Sequence, residues 1–409
     1  MGDLVARASH GDADDPLASF RDRFTIPPDW IYLDGNSLGL PARTMRERLE
    51  QVVGEWEREA VLGWEHWLAM GSAIGDELAP LIGGGPGEVA VCDQTSVNLF
   101  KLASAALSAS GRTTIVSDRG NFPSDLYVLD GIAKAAGGRL VLLPEDPSPT
   151  MVSEALDNDV ALVSMSHVSY RSGRMHDAAA ITTLAHDWGA LMLWDLAHSA
   201  GSVPVDLNGW GADLAVGCTY KYLNGGPGSP AFLYVRTDLH DTLQQPIAGW
   251  FGHADQFGFA EEFAPAHSIR RFLVGTPPII SMTATREGIA ITREAGMQAI
   301  RTKSVALTSL LIEAVDALDP SLGVSVVTPR EPAERGSHVA ISHSEAFRVS
   351  TALRRRGVIP DYRAPDVIRF GVAPLYTRFA DVTSAVAILE DVLTSGAHLA
   401  GSDPTSGVT

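Results

Sequence analysis

Seven short runs of uninterrupted apolar residues punctuate the middle of this chain, at 89–92, 114–116, 140–143, 161–165, 191–194, 214–217 and 231–235. Stretches with helical spacing separate them. Apolarity that is continuous, not alternating, predicts strands covered on both faces, hence an α/β architecture built on a mainly parallel seven-stranded sheet. In such sheets the functional groups lie in the loops at the strand ends. Before the first run, Met45, Leu49, Val52, Val53, Trp56 and Ala60 recur at three- and four-residue steps and predict an amphipathic helix opened by Pro41. Upstream, the apolar run 30–33 breaks into the turn-rich loop 34–41. After about Pro277 helices alternate with short strands at 323–327 and 367–370, which predicts a smaller α+β domain. The expected division is an N-terminal segment 1–40 packed with the small domain, a large domain 41–280, a small domain 281–400 and a disordered tail 401–409.

With 409 residues, 45% apolar and 20% charged, the chain is long enough for a large domain with a smaller partner. The formal charge of −18 argues against nucleic acid or an anionic lipid surface as partner, and an anionic substrate would need a local basic pocket. Two cysteines, Cys92 and Cys218, do not make a disulfide framework, and a cytoplasmic location is expected. Residues 1–17 are polar and Asp-rich, unlike a secretory signal, and no run reaches the ~18 apolar residues of a membrane span.

The chemistry concentrates at two neighbouring strand ends. The run 191–194 ends in Asp195, followed by Leu196-Ala197-His198, and the run 214–217 leads to Tyr220-Lys221 and a Gly-rich loop at 225–228. A buried carboxylate can keep a pyridine nitrogen protonated, and an amine can form an imine, so the pair would grip a pyridoxal ring at both ends. Taken singly, Asp195 reads more readily as a helix cap and Lys221 as a solvated surface lysine. Two loops suit the rest of such a cofactor. Thr95 and Ser96 open a helix after a strand, where hydroxyls and free N–H groups can meet a phosphate, or merely cap the helix. In 121–125, Phe122 could stack on a ring and Ser124 and Asp125 could approach its substituents.

Taken together, the segments 34–40, 122–125, 195–199, 220–228 and 249–253 resemble kynureninase, in order along most of the chain. The resemblance implies fold type I of the enzymes dependent on pyridoxal 5′-phosphate (PLP), normally a homodimer with shared active sites. It implies hydrolysis of the Cβ–Cγ bond of L-kynurenine to anthranilate and L-alanine, a step of tryptophan catabolism. Lys221 would carry PLP as a Schiff base, Asp195 would pair with the ring nitrogen, His198 would bond nearby, and Phe122 would stack on the ring. Thr95, Ser96, Ser166 and Tyr220 would line the cofactor and its phosphate, and Trp250 and Thr276 would reach in from the neighbouring subunit. Arg369 would clamp the substrate carboxylate, with Asn36 and Ser37 also at the substrate. Tyr220 is the candidate for a late acid–base step.

Trp64 and Thr276 stand where animal members carry His and Asn, which favours L-kynurenine over 3-hydroxykynurenine. The nearest rival on the same fold is a cysteine desulfurase-like lyase, which needs a nucleophilic cysteine on a mobile loop; Cys92 and Cys218 read instead as buried thiols. The histidines show no metal-ligand spacing.

Overall fold

The computed structural model describes residues 2–399, and the expected tail at 401–409 lies outside the described residues. The seven apolar runs form β1 (Val89–Val91), β2 (Thr114–Asp118), β3 (Arg139–Leu143), β4 (Val160–Ser166), β5 (Leu191–Asp195), β6 (Leu214–Gly217) and β7 (Phe232–Val235). They make one sheet in the order β1-β7-β6-β5-β4-β2-β3. From β6 to β3 all neighbours are parallel, and β7 runs against both of its neighbours. Successive side chains explain the unbroken apolarity. Along β5, Met192 and Trp194 enter the core on one face and Leu193 the core on the other. A charged residue at any of the three would be buried without a partner.

A second, antiparallel sheet holds β8 (Ser325–Val326), β9 (His338–Ser342), β10 (Asp361–Arg363) and β11 (Val367–Gly371) in the order β10-β11-β9-β8. Residues 2–13 form a helix that the polar leader did not suggest. Its Leu4 and Ala8, one turn apart, join the small-sheet core with Leu389 and Val386. Asp12 at its end accepts from the Phe379 and Ala380 N–H groups at 2.7 and 3.0 Å and so caps the helix Phe379–Thr394. Helix Ile279–Ala295 lays Met282 and Ile289 into the core of the large sheet, while its Ile291 meets Leu17, Phe24 and Tyr222.

The N-terminal segment is what carries the small sheet to the strand ends of the large one. Ile31–Tyr32 pairs in parallel with Val358–Ile359, and the Gly371 N–H donates to the Leu33 carbonyl at 2.6 Å. The loop that follows reaches Tyr220, whose carbonyl accepts from the Gly39 N–H at 2.8 Å. Any side chain at Gly39 would collide with the Lys221 carbonyl and with Asn224, so the close approach requires glycine there.

Candidate active site

Ser166 and Asp195 are register partners at the ends of β4 and β5, which is why their side chains meet. Asp195 is buried, its Oδ1 accepting from the Ala197 N–H at 2.8 Å and its Oδ2 from the Ser166 hydroxyl at 3.3 Å. Ser166 shares its one hydroxyl proton between Asp195 and Asn121 Oδ1, the latter at 2.8 Å, so Asn121, which sequence reasoning passed over, fixes the serine. Burial raises the Asp195 pKa, and the positive charge of Lys221 opposes that rise. Asp125, on the first turn of helix Pro123–Ala135, is buried too. Burial and the neighbouring Asp195 hold its pKa well above the usual carboxylate range, and its Oδ2 has no hydrogen-bond partner.

The chain has four lysines. Lys101, Lys134 and Lys303 each contact a carboxylate, that of Asp93, Asp130 and Asp15, at 2.6, 2.6 and 2.7 Å. Lys221 instead places its Nζ 3.0 Å from Nε2 of His198, a neutral partner, because burial and the adjacent Lys221 charge push the His198 pKa well below the usual range. The lysine amine also lies 6.0 Å from the centre of the Phe122 ring and 5.8 Å from that of Tyr220. The Tyr220 phenol is pushed up by the neighbouring Cys218 and by burial, so it stays protonated and serves as a donor.

Thr95 and Ser96 occupy the first turn of helix Thr95–Ser110, which no side chain caps. Its leading N–H groups are therefore open to an anion, and capping does not explain the two hydroxyls. The turn before the helix has Asp93 in a left-handed conformation, φ 48°, held by Lys101. Lys101 is fully buried and also donates to the Phe272 carbonyl at 2.7 Å. Phe122 stands just before its helix, with Lys221 over its ring and the Tyr170 ring perpendicular to it at 5.2 Å, and Ser124 follows on the first turn.

Arg369, in β11, is fully buried and already engaged. Its guanidinium pairs with Asp361, donates to the Tyr170 carbonyl and reaches the Ser37 hydroxyl at 3.2 Å, leaving Nε without a partner. Ser37 in turn donates to Asp361 at 2.8 Å. Asn36 is buried beside Gly371 with both amide atoms unpaired. An arginine so held is oriented for a second anion more than it is free to sweep for one, and Asp361, its holder, went unnoticed in the sequence.

Trp64 and Thr276 line one apolar groove of about 440 Å³ with Val52, Trp56, Trp67 and Ile280. Lys221 is not among its lining residues. Trp250 is 42% exposed and stacks on Phe259. The two cysteines are buried, and burial pushes the Cys92 thiol up to about 11 and the Cys218 thiol up as well, which suits neither to nucleophilic attack.

These residues fit pyridoxal phosphate. A buried carboxylate met only by neutral donors suits a protonated ring nitrogen, the uncapped helix start suits the phosphate, and Lys221 is the lysine held by a neutral group. The orphaned Asp125 Oδ2 marks a place where a further donor belongs.

The family model for the kynureninase C-terminal domain matches residues 300–389. A kynureninase of Burkholderia pseudomallei strain 1106a is 48% identical over 391 residues, covering 93% of this chain and 94% of its own. One of Pseudomonas fluorescens is 46% identical over 390 residues with the same coverage. Among solved structures, a cysteine desulfurase from Escherichia coli matches with a TM-score of 0.79 at 18% identity, over 93% of this chain and 98% of the other. A C-DES mutant with glycine covalently linked to its PLP cofactor matches at 0.79 and 16% identity, over 91% and 99%. At these identities the two solved structures share the fold alone. The chain itself belongs to the kynureninase family, PLP-dependent hydrolases that act on carbon–carbon bonds.

Proposed function

We propose that this chain hydrolyses the Cβ–Cγ bond of L-kynurenine, releasing anthranilate and L-alanine, with pyridoxal phosphate carried on Lys221. The observation that carries the proposal is the setting of that lysine: alone among four, it meets an imidazole and not a carboxylate, opposite the buried Asp195 and Asp125. When bound, PLP supplies the electron sink that weakens the bonds at the substrate α-carbon. Asp195, steadied by Ser166 and the Ala197 N–H, keeps a negative charge at the ring nitrogen. Phe122 would cover one ring face, and the first turn at Thr95 and Ser96 would hold the phosphate.

Lys221 would be the base that moves the α proton of the substrate. Tyr220, protonated and beside it, donates in the later steps. Arg369 and Ser37 receive the substrate carboxylate, with Asn36 close by. Two copies are proposed to share their sites, so that the groove of Trp64 and Thr276, with Trp250, faces the Lys221 of the other copy and holds the aryl ring. That groove offers one hydroxyl among apolar and indole side chains, which supports L-kynurenine over its 3-hydroxy form. Two unpaired buried thiols support a reducing compartment such as the cytoplasm.

Anthranilate fluorescence on adding L-kynurenine to purified, PLP-loaded protein tests the reaction. Its absence sinks the proposal. A higher kcat/KM for 3-hydroxykynurenine would sink only the ring preference.

A further inference from the structure

Behind the His198–Lys221 pair lies a second buried histidine that the mechanism does not use. His338, in β9, is fully buried opposite Gly371, and its ring centre is 5.5 Å from that of His198. Both of its ring nitrogens, and Nδ1 of His198, have no hydrogen-bond partner among the described residues. Two imidazoles joined by one N–H···N bond of ~2.9 Å have centres roughly 5 Å apart, which is close to the separation of these two rings. Buried ring nitrogens left unpaired are costly, and a bond between the two rings satisfies two of these three. Space is kept for the ring by Gly173, where a Cβ would stand 3.2 Å from His338 Nε2.

We infer that His338 is a positioning residue: it accepts the Nδ1 proton of His198, holds His198 with Nε2 unprotonated, and so leaves the Lys221 lone pair open to attack. In that tautomer the Lys221 N–H donates to Nε2. In the other tautomer, Nε2–H of His198 would donate to the lysine nitrogen and occupy the lone pair that must attack a carbonyl carbon. The inference rests on Lys221 being the cofactor lysine. The charged groups facing the two rings are Lys221, Arg369 and Arg363, all cationic, and they join burial in keeping both imidazoles neutral.

The test is the rate at which stripped protein takes up pyridoxal phosphate, followed by visible absorbance across pH, in wild type, His338→Phe and His338→Gln. His338→Phe should load about tenfold more slowly on the high-pH plateau, the loss expected for one hydrogen bond. Its midpoint should move to lower pH, because a donor on the lysine nitrogen favours the neutral amine. His338→Gln, whose amide oxygen can accept the Nδ1 proton, should restore both. A wild-type profile in His338→Phe, or equal impairment in both variants together with a lowered unfolding temperature, overturns the inference. Should the variants fail to fold, ¹⁵N-histidine NMR of the wild type reads the His198 tautomer, and a proton on Nε2 overturns it equally. Loading by the wild type without anthranilate release counts against the proposed reaction and leaves the inference standing.

Discussion

Replacing Lys101 with methionine tests how the phosphate end of the site is built. The methionine keeps most of the volume of a fully buried stem while removing the ammonium that joins Asp93, Phe272 and, at 3.6 Å, the Cys92 sulfur. Breaking a buried ion pair costs about 3–5 kcal/mol. Here the Asp93 side chain is 28% exposed and can regain water, so about 2 kcal/mol is the better figure for the pair. The Phe272 carbonyl, left without its donor, adds roughly 1 kcal/mol. Destabilisation of ~3 kcal/mol should lower the unfolding temperature of the stripped protein by several degrees. The freed turn before Thr95 should also weaken PLP binding by about tenfold, or ~1.4 kcal/mol. Thermal unfolding and an absorbance titration with PLP measure the two effects. An unchanged unfolding temperature with unchanged PLP affinity would refute the claim that Lys101 organises this turn.

Ser166→Ala removes one of the two donors on the Asp195 carboxylate and should lower kcat/KM for L-kynurenine about tenfold, the low end of the worth of a hydrogen bond to a charged group because this one is long at 3.3 Å; a larger loss of stability than of activity would contradict this. His186 bonds Asp213 at 2.7 Å, and that bond raises its pKa. Its contribution to stability is therefore fully present below the ordinary histidine value of ~6.5 and lost as pH rises through the raised value. The unfolding-temperature gap between wild type and His186→Gln should be widest in mild acid and close toward alkaline pH, modest throughout because the ring is partly exposed. A gap constant with pH would show that the charge plays no part. The double change Trp64→His with Thr276→Asn should shift the kcat/KM ratio toward 3-hydroxykynurenine by at least tenfold, since the groove then gains groups that can bond the added hydroxyl. An unmoved ratio would remove the groove from substrate reading.

The large sheet was legible because its strands, the edge strand β3 apart, are buried on both faces, so they read as unbroken apolar runs whatever the intervening chain does. The N-terminal helix was not, because its buried stripe amounts to Leu4 and Ala8 while Val5 faces solvent. Asp195 and Lys221 announced themselves as chemistry at adjacent strand ends. Their supports did not. Asn121 reaches Ser166 across two strands, Lys101 meets the Phe272 carbonyl, and Asp361 holds Arg369 from the next strand, contacts made by folding between segments far apart or with no local signature. Arg369 looked like a free clamp in the sequence, whereas its full burial required a carboxylate nearby, and Asp361 is that carboxylate.

Reduction of the PLP-loaded protein with borohydride, followed by peptide mass analysis, tests the central claim most directly, because it locates the cofactor-bearing amine among four lysines. The phosphopyridoxyl mass should appear on the peptide containing Lys221. Its appearance on Lys101, Lys134 or Lys303, or on none of the four, would contradict the account.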